Sequence, residues 1–123
     1  LWCAEFEAYV FCGTHLSLTE EDRVASIGII EREAAAYDKP LFIAGDFNAR
    51  PESEAMVRFA GKFELLSDPA QNTFPAGNPR GCIDYIAAYK STGYEIEVTG
   101  RFVDQATIAS DHCPLWVDIK IKQ

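Results

Sequence analysis

Leu41-Phe42-Ile43-Ala44-Gly45-Asp46-Phe47-Asn48-Ala49-Arg50-Pro51 sets the organisation of this chain. The apolar run Leu41 to Ala44 has the character of a buried strand, and it stops at Gly45, where a backbone without Cβ can turn sharply or admit a ligand closely. Asp46 and Asn48 lie two apart across Phe47, so in an extended segment both project to one face while Phe47 packs on the other. A carboxylate able to bind or deprotonate water then stands beside a neutral amide able to donate to an anionic oxygen. The same residues also suit a plain turn cap, so the stretch needs support from elsewhere in the chain.

Upstream, Glu5–His15 is rich in β-formers and reads as one strand ending near Gly13, which leaves His15 just past a strand end, as Asp46 is. Thr19-Glu20-Glu21-Asp22 predicts a helix start, with Thr19 as cap and acidic residues facing the positive end of the dipole. Val24, Ile27, Ile30, Ala34 and Tyr37 then recur at helical spacing, a stripe that would lie on a sheet. Pro40 ends this helix by disfavouring a helical Lys39. Strand, helix, strand in that order predicts a βαβ-like unit.

Downstream, Pro51-Glu52-Ser53-Glu54 opens a shorter helix with Met56, Phe59 and Ala60 on one face and Gly61 as its stop. Residues 68–79, rich in Asn, Pro and Gly, predict a long exposed loop in which Thr73-Phe74-Pro75 forms a pocket wall or a hydrophobic plug. Cys82–Tyr89 reads as a strand with Asp84 inside its apolar run, where a buried carboxylate requires a partner. Tyr94–Thr99 reads as a further strand. Leu115, Val117, Ile119 and Ile121 alternate with polar or bulky neighbours as a half-buried final strand, preceded by Ser110-Asp111-His112-Cys113-Pro114.

The chain has 123 residues, enough for one domain, and its first residue is Leu1, as though reading began in mid-domain. Eleven basic residues against nineteen acidic give a formal charge of −8, which weighs against binding a polyanion through a general basic surface. Clustered carboxylates instead attract divalent cations. The four cysteines, Cys3, Cys12, Cys82 and Cys113, lack zinc or thioredoxin spacing and read as buried thiols on strands, with a disulfide left open. No apolar stretch approaches the ~20 residues that a membrane span needs, and no signal peptide is visible. Compartment is left open between cytoplasmic and periplasmic or secreted.

Four polar signatures stand in order, each at a strand edge or terminus: Thr14-His15, Gly45-Asp46-Phe47-Asn48, Ile83-Asp84-Tyr85-Ile86 and Ser110-Asp111-His112. This combination resembles the endonuclease/exonuclease/phosphatase superfamily, the DNase I-like fold that also includes sphingomyelinases and inositol polyphosphate phosphatases. The likeness runs from about Phe6 to Ile121 and corresponds to the C-terminal half of that family's domain. It implies an α+β fold, half of a DNase I-like layered α/β sandwich with a mixed sheet covered by helices, so that residues 1–123 form one partial domain. The family's principal metal-binding Glu and an upstream Asn are then expected in an N-terminal half outside these residues.

The resemblance further implies hydrolysis of a phosphodiester or phosphomonoester by in-line attack of water, assisted by Mg²⁺ or Mn²⁺. In it, Asp46 would handle the water and contribute to the metal, with His15 and Asn48 as phosphate donors. Asp84 would hold one imidazole nitrogen of His112, fixing its tautomer and favouring its charged form. The base is left open between Asp46 and His112. Asp111 would support a metal, and Arg80 and Arg50 are further candidates for phosphate contact. Net acidity, with Thr73-Phe74-Pro75 preceding Ile83-Asp84-Tyr85-Ile86, favours a small-molecule or lipid phosphoester over nucleic acid, with a nuclease as the rival. A third reading, a piece that pairs with its missing half, predicts an exposed apolar sheet face prone to self-association.

Overall fold

The computed structural model describes residues 1–90 and 93–123. In chain order the elements are β1 (Trp2–Glu5), β2 (Val10–His15), α1 (Glu20–Ala35), β3 (Leu41–Asp46), α2 (Glu54–Lys62), β4 (Phe63–Leu65), β5 (Asp84–Tyr89), β6 (Glu95–Val103) and β7 (Leu115–Lys122). Five strands form a mixed sheet in the order β1-β2-β3-β5-β4, and β6 and β7 pair as a separate antiparallel ribbon. β2 and β3 run parallel with α1 as the crossover, the βαβ unit expected from the sequence.

Four boundaries differ from the sequence reading, one of them at β5, which starts at Asp84 rather than Cys82 and so puts that carboxylate at the strand's first position. Glu5–His15 is two strands rather than one: the chain reverses over residues 6–9, where the amide of Phe6 donates to the carbonyl of Tyr9 (2.8 Å). This hairpin sets Cys3 opposite Cys12, and the two form a disulfide, correcting the reading of all four cysteines as thiols. Cys82 and Cys113 are free and buried, as expected. α2 begins at Glu54 on a Ser53 cap and runs through Gly61 to Lys62, and β4 follows at once. Its inward face uses Ala55 in place of the exposed Ala60. β6 is longer than Tyr94–Thr99, because β7 gives it cross-strand partners out to Val103.

α1 and α2 cover one face of the sheet, burying Ile27, Ile30, Ala34, Met56 and Phe59 against Val10, Leu41, Ile43 and Ala87. Glu20 joins the helices: its carboxylate accepts the Ala55 amide (3.0 Å) and pairs with Arg23 (2.6 Å). Those two partners hold the Glu20 carboxyl below its ordinary range. On the opposite face, Phe42, Leu66 and Ala88 pack with Ile96, Val98, Val117 and Ile119 of the β6–β7 ribbon. An apolar groove of about 350 Å³ remains on that side, between Tyr9, Phe11 and Phe42 of the sheet and Trp116, Val117 and Ile119 of the ribbon. Among the described residues no helix is long and apolar enough to cross a membrane.

Candidate active site

Register brings the polar residues together. His15 pairs with Asp46 across β2 and β3, and Asp46 pairs with Asp84 across β3 and β5. The three therefore occupy one rung at the strand ends, and alternation places their side chains on one face of the sheet. Phe42 and Ala44 precede Asp46 on that face, so the apolar side ends in a polar rim. His112 reaches the rim from the loop before β7. Its Nδ1 lies 2.9 Å from one Asp84 oxygen and 3.1 Å from the other, and its Nε2 lies 3.5 Å from Asp46 Oδ2. His15 Nε2 approaches the same Asp46 oxygen at 3.3 Å.

Local structure fixes Asp46. Its Oδ1 accepts the Asn48 amide at 2.8 Å, a turn that puts Asn48 in the left-handed region at φ 49° instead of the extended geometry read from sequence. The Asn48 side chain donates through Nδ2 to the Leu16 carbonyl (2.7 Å), tying the β3 exit to the β2 exit. Phe47 is fully buried beneath, with ring centroids 4.9 Å from Phe59 and 5.4 Å from Tyr85. Asp46 thus caps a turn and leaves Oδ2 facing both imidazoles.

Asp84 is 8% exposed. Burial alone would lower the pKa of His112, but the hydrogen bond and charge of Asp84, with Asp46 and Asp111 behind it, outweigh burial and raise it. The imidazolium form is thereby favoured. The neighbouring Cys82 thiol is pushed up to about 11, chiefly by burial, and stays protonated. Asp46, Asp84 and His112 form a group able to hold a divalent cation, their donor atoms all lying within 4.8 Å of one another.

The remaining sequence candidates fall at the edges. Asp111 is exposed, its carboxylate accepting the Ser110 hydroxyl at 3.4 Å, and it stands outside the close group. Arg50 and Arg80 are exposed and line a neighbouring cleft with Phe74, Pro75, Gly81 and Ile83. Two supporting residues come from the Thr73-Phe74-Pro75 stretch. Thr73 is buried, and its hydroxyl accepts the amides of Ile83 (3.1 Å) and Asp84 (3.3 Å), setting where β5 starts. Phe74, read as pocket wall or plug, lies against the His112 ring at a centroid distance of 4.8 Å.

The model of the Endonuclease/Exonuclease/phosphatase family matches residues 5–112, a span that contains all four signatures. The chain belongs to that family. Its members are hydrolases of phosphoesters that depend on divalent metals. None of the curated proteins compared with it matches the chain in sequence. Among solved structures, a conserved protein of unknown function from Enterococcus faecalis V583 is similar at a TM-score of 0.74 and 22% identity over 93% of this chain and 50% of that one. A mannosyl-6-phosphatase from Bacteroides thetaiotaomicron VPI-5482 is similar at a TM-score of 0.66 and 19% identity, covering 91% of this chain and 51% of the phosphatase. The human nocturnin catalytic domain with bound sulfate gives 0.66 and 23%, covering 93% and 47%. The shared feature is the DNase I-like fold, and this chain spans about half the length of each.

Proposed function

We propose that this chain carries the water-activating and phosphate-holding part of a metal-dependent phosphoesterase that hydrolyses a small-molecule or lipid phosphoester by in-line attack of water. The observation that carries the reading is the convergence of two imidazoles on one carboxylate oxygen, Asp46 Oδ2, with a second carboxylate behind one of them. Carboxylate oxygens suit Mg²⁺ or Mn²⁺, and Asp46 would offer Oδ2, since its Oδ1 accepts the Asn48 amide. When bound, the cation neutralises charge developing on phosphoryl oxygens.

The geometry supports a part for each of the protein's own residues. Asp46, immobilised by the Asn48 amide and by Phe47, orients the water and takes its proton. His112, favoured as imidazolium by Asp84, donates from Nε2 to a phosphoryl oxygen, and a group already protonated is unsuited to act as base. His15 and the second amide hydrogen of Asn48 are further donors, and Asp111 at the rim would support a second cation. The Cys3–Cys12 disulfide supports an oxidising compartment.

A second reading has its own support: the apolar groove and the half-length match favour a chain that completes its site only with a complementary half. Turnover of a sugar monophosphate, a phospholipid headgroup diester and a nicked duplex, measured side by side with Mg²⁺ and Mn²⁺, tests both. Metal-dependent release from either of the first two, lost in Asp46→Asn, supports the first reading. Turnover confined to the duplex would replace it with a nuclease, and none at all would leave the incomplete-half reading.

A further inference from the structure

Arg50 and Arg80 share one cleft of about 220 Å³, lined also by Phe74, Pro75, Gly81 and Ile83. The chain carries a surplus of acidic side chains, and it pairs Arg23 with Glu20 and Arg58 with Glu31. Among the described residues no carboxylate comes within 4.0 Å of Arg50 or Arg80. Two uncompensated guanidinium groups facing one concavity repel each other and attract an anion.

Both arginines stand on fixed backbone. The loop is closed by the Phe74–Gly81 bridge, with the amides of Arg80 (2.9 Å) and Gly81 (3.1 Å) donating to the Phe74 carbonyl. Arg50 lies directly over Gly81: a Cβ built there would fall 2.9 Å from its Nε and 3.2 Å from Cζ and Nη2. A side chain at position 81 would crowd that guanidinium, and the glycine leaves room for it. The apolar walls, Phe74, Pro75 and Ile83, lower the local dielectric and strengthen a charge-assisted contact made between them.

The cleft adjoins the cluster already described. Phe74 lines the cleft and lies 4.8 Å, ring to ring, from His112, while Ile83 lines it and precedes Asp84. A small molecule with one phosphoryl group at Asp46 and His112 can therefore reach the cleft with another. The forked guanidinium matches two phosphoryl oxygens at once, a geometry an ammonium group does not offer.

We propose that Arg50 and Arg80 hold a second, non-scissile phosphoryl group, so that the preferred substrate is a small bis-phosphorylated molecule. This rests on the phosphoesterase reading for the scissile group, but the anion-holding role of the cleft stands separately. The formal charge of −8 favours a small molecule over a nucleic-acid strand, whose many flanking phosphates the acidic surface would repel.

The test is calorimetric titration of the full chain in EDTA with fructose bisphosphate, fructose monophosphate and a short oligothymidylate. It is repeated on Arg50→Gln, Arg80→Gln and the double variant, with circular dichroism to confirm that each is folded. The bisphosphate should bind at least about tenfold tighter than the monophosphate, the usual worth of a charge-assisted contact. Each glutamine should remove most of that margin. Equal affinities for the two sugars, or a margin that survives the double variant, would overturn the proposal. An arginine-dependent preference for the oligothymidylate would overturn the small-molecule assignment. Metal-dependent hydrolysis of the monophosphate is followed separately: its absence beside an arginine-dependent margin would count against the phosphoesterase reading alone, and its presence without a margin against the cleft alone.

Discussion

Gly45→Ala is the substitution from which the structure predicts most. At this position a Cβ would lie 1.9 Å from the Thr14 carbonyl oxygen and 2.9 Å from its carbon, backbone atoms that cannot swing away. Restoring even the 3.0 Å minimum requires β2 and β3 to part locally by about 1.1 Å. Thr14 and Gly45 form the rung beside His15 and Asp46, so the opening falls on the 3.3 Å contact between those side chains and on the 2.9 Å bond from the Leu16 amide to the Asp46 carbonyl. Overpacking with the loss of one backbone bond costs about 2–4 kcal/mol. On the proposed function, a displacement of this size at Asp46 also costs about 100-fold in turnover. Urea unfolding monitored by circular dichroism reads the first quantity. Gly61→Ala is the control, since a Cβ there meets nothing within 4 Å; it should stabilise α2 by up to about 1 kcal/mol. Equal unfolding free energies for Gly45→Ala and wild type would refute the claim that this glycine exists to bring the two strand ends into contact.

Other consequences are as direct. Asp84→Asn should lower the pKa of His112, read by NMR titration of its imidazole, and, on the proposed function, reduce turnover by about 10- to 100-fold. The raised pKa of His112 makes its ion pair with Asp84 a source of stability that is complete below pH 6.5 and lost as pH rises through the native value. Wild type should accordingly weaken on the alkaline side relative to Asp84→Asn. Reduction of Cys3–Cys12 should cost about 2–3 kcal/mol by the chain-entropy account, seen as a lower melting temperature in reductant and absent in the Cys3→Ser/Cys12→Ser double variant. Gel filtration should show concentration-dependent self-association through the apolar groove, weakened by Trp116→Lys, whose indole is 47% exposed there.

What could be read from the sequence was whatever a local rule governs. The strand before Gly45, the α1 stripe and the alternation of β7 each follow from periodicity, and the βαβ order fixed the parallel pairing of β2 with β3. The hairpin at residues 6–9 escaped because Phe6-Glu7-Ala8-Tyr9 holds no Gly, Pro, Asn or Asp to mark a reversal. With it went the pairing of Cys3 with Cys12, which depends on register. Asn48 departs from the extended reading because the Asp46 side chain caps a tight turn there. Thr73 and Phe74 are positioned by a bridge to Gly81 across a loop, a contact that no spacing encodes. The Asp84–His112 partnership was readable only through the family resemblance, since the two residues are far apart along the chain and meet through tertiary packing.

On the proposed function, signatures scattered along the chain serve one metal and phosphate site. His15 and His112 are the two histidines in the sequence, so their imidazole proton resonances report on that site without overlap. Titration with paramagnetic Mn²⁺ should broaden both resonances together, at the same added concentration, and Asp46→Asn should abolish the effect on both. Broadening of one imidazole without the other, or undiminished broadening in Asp46→Asn, would contradict that reading.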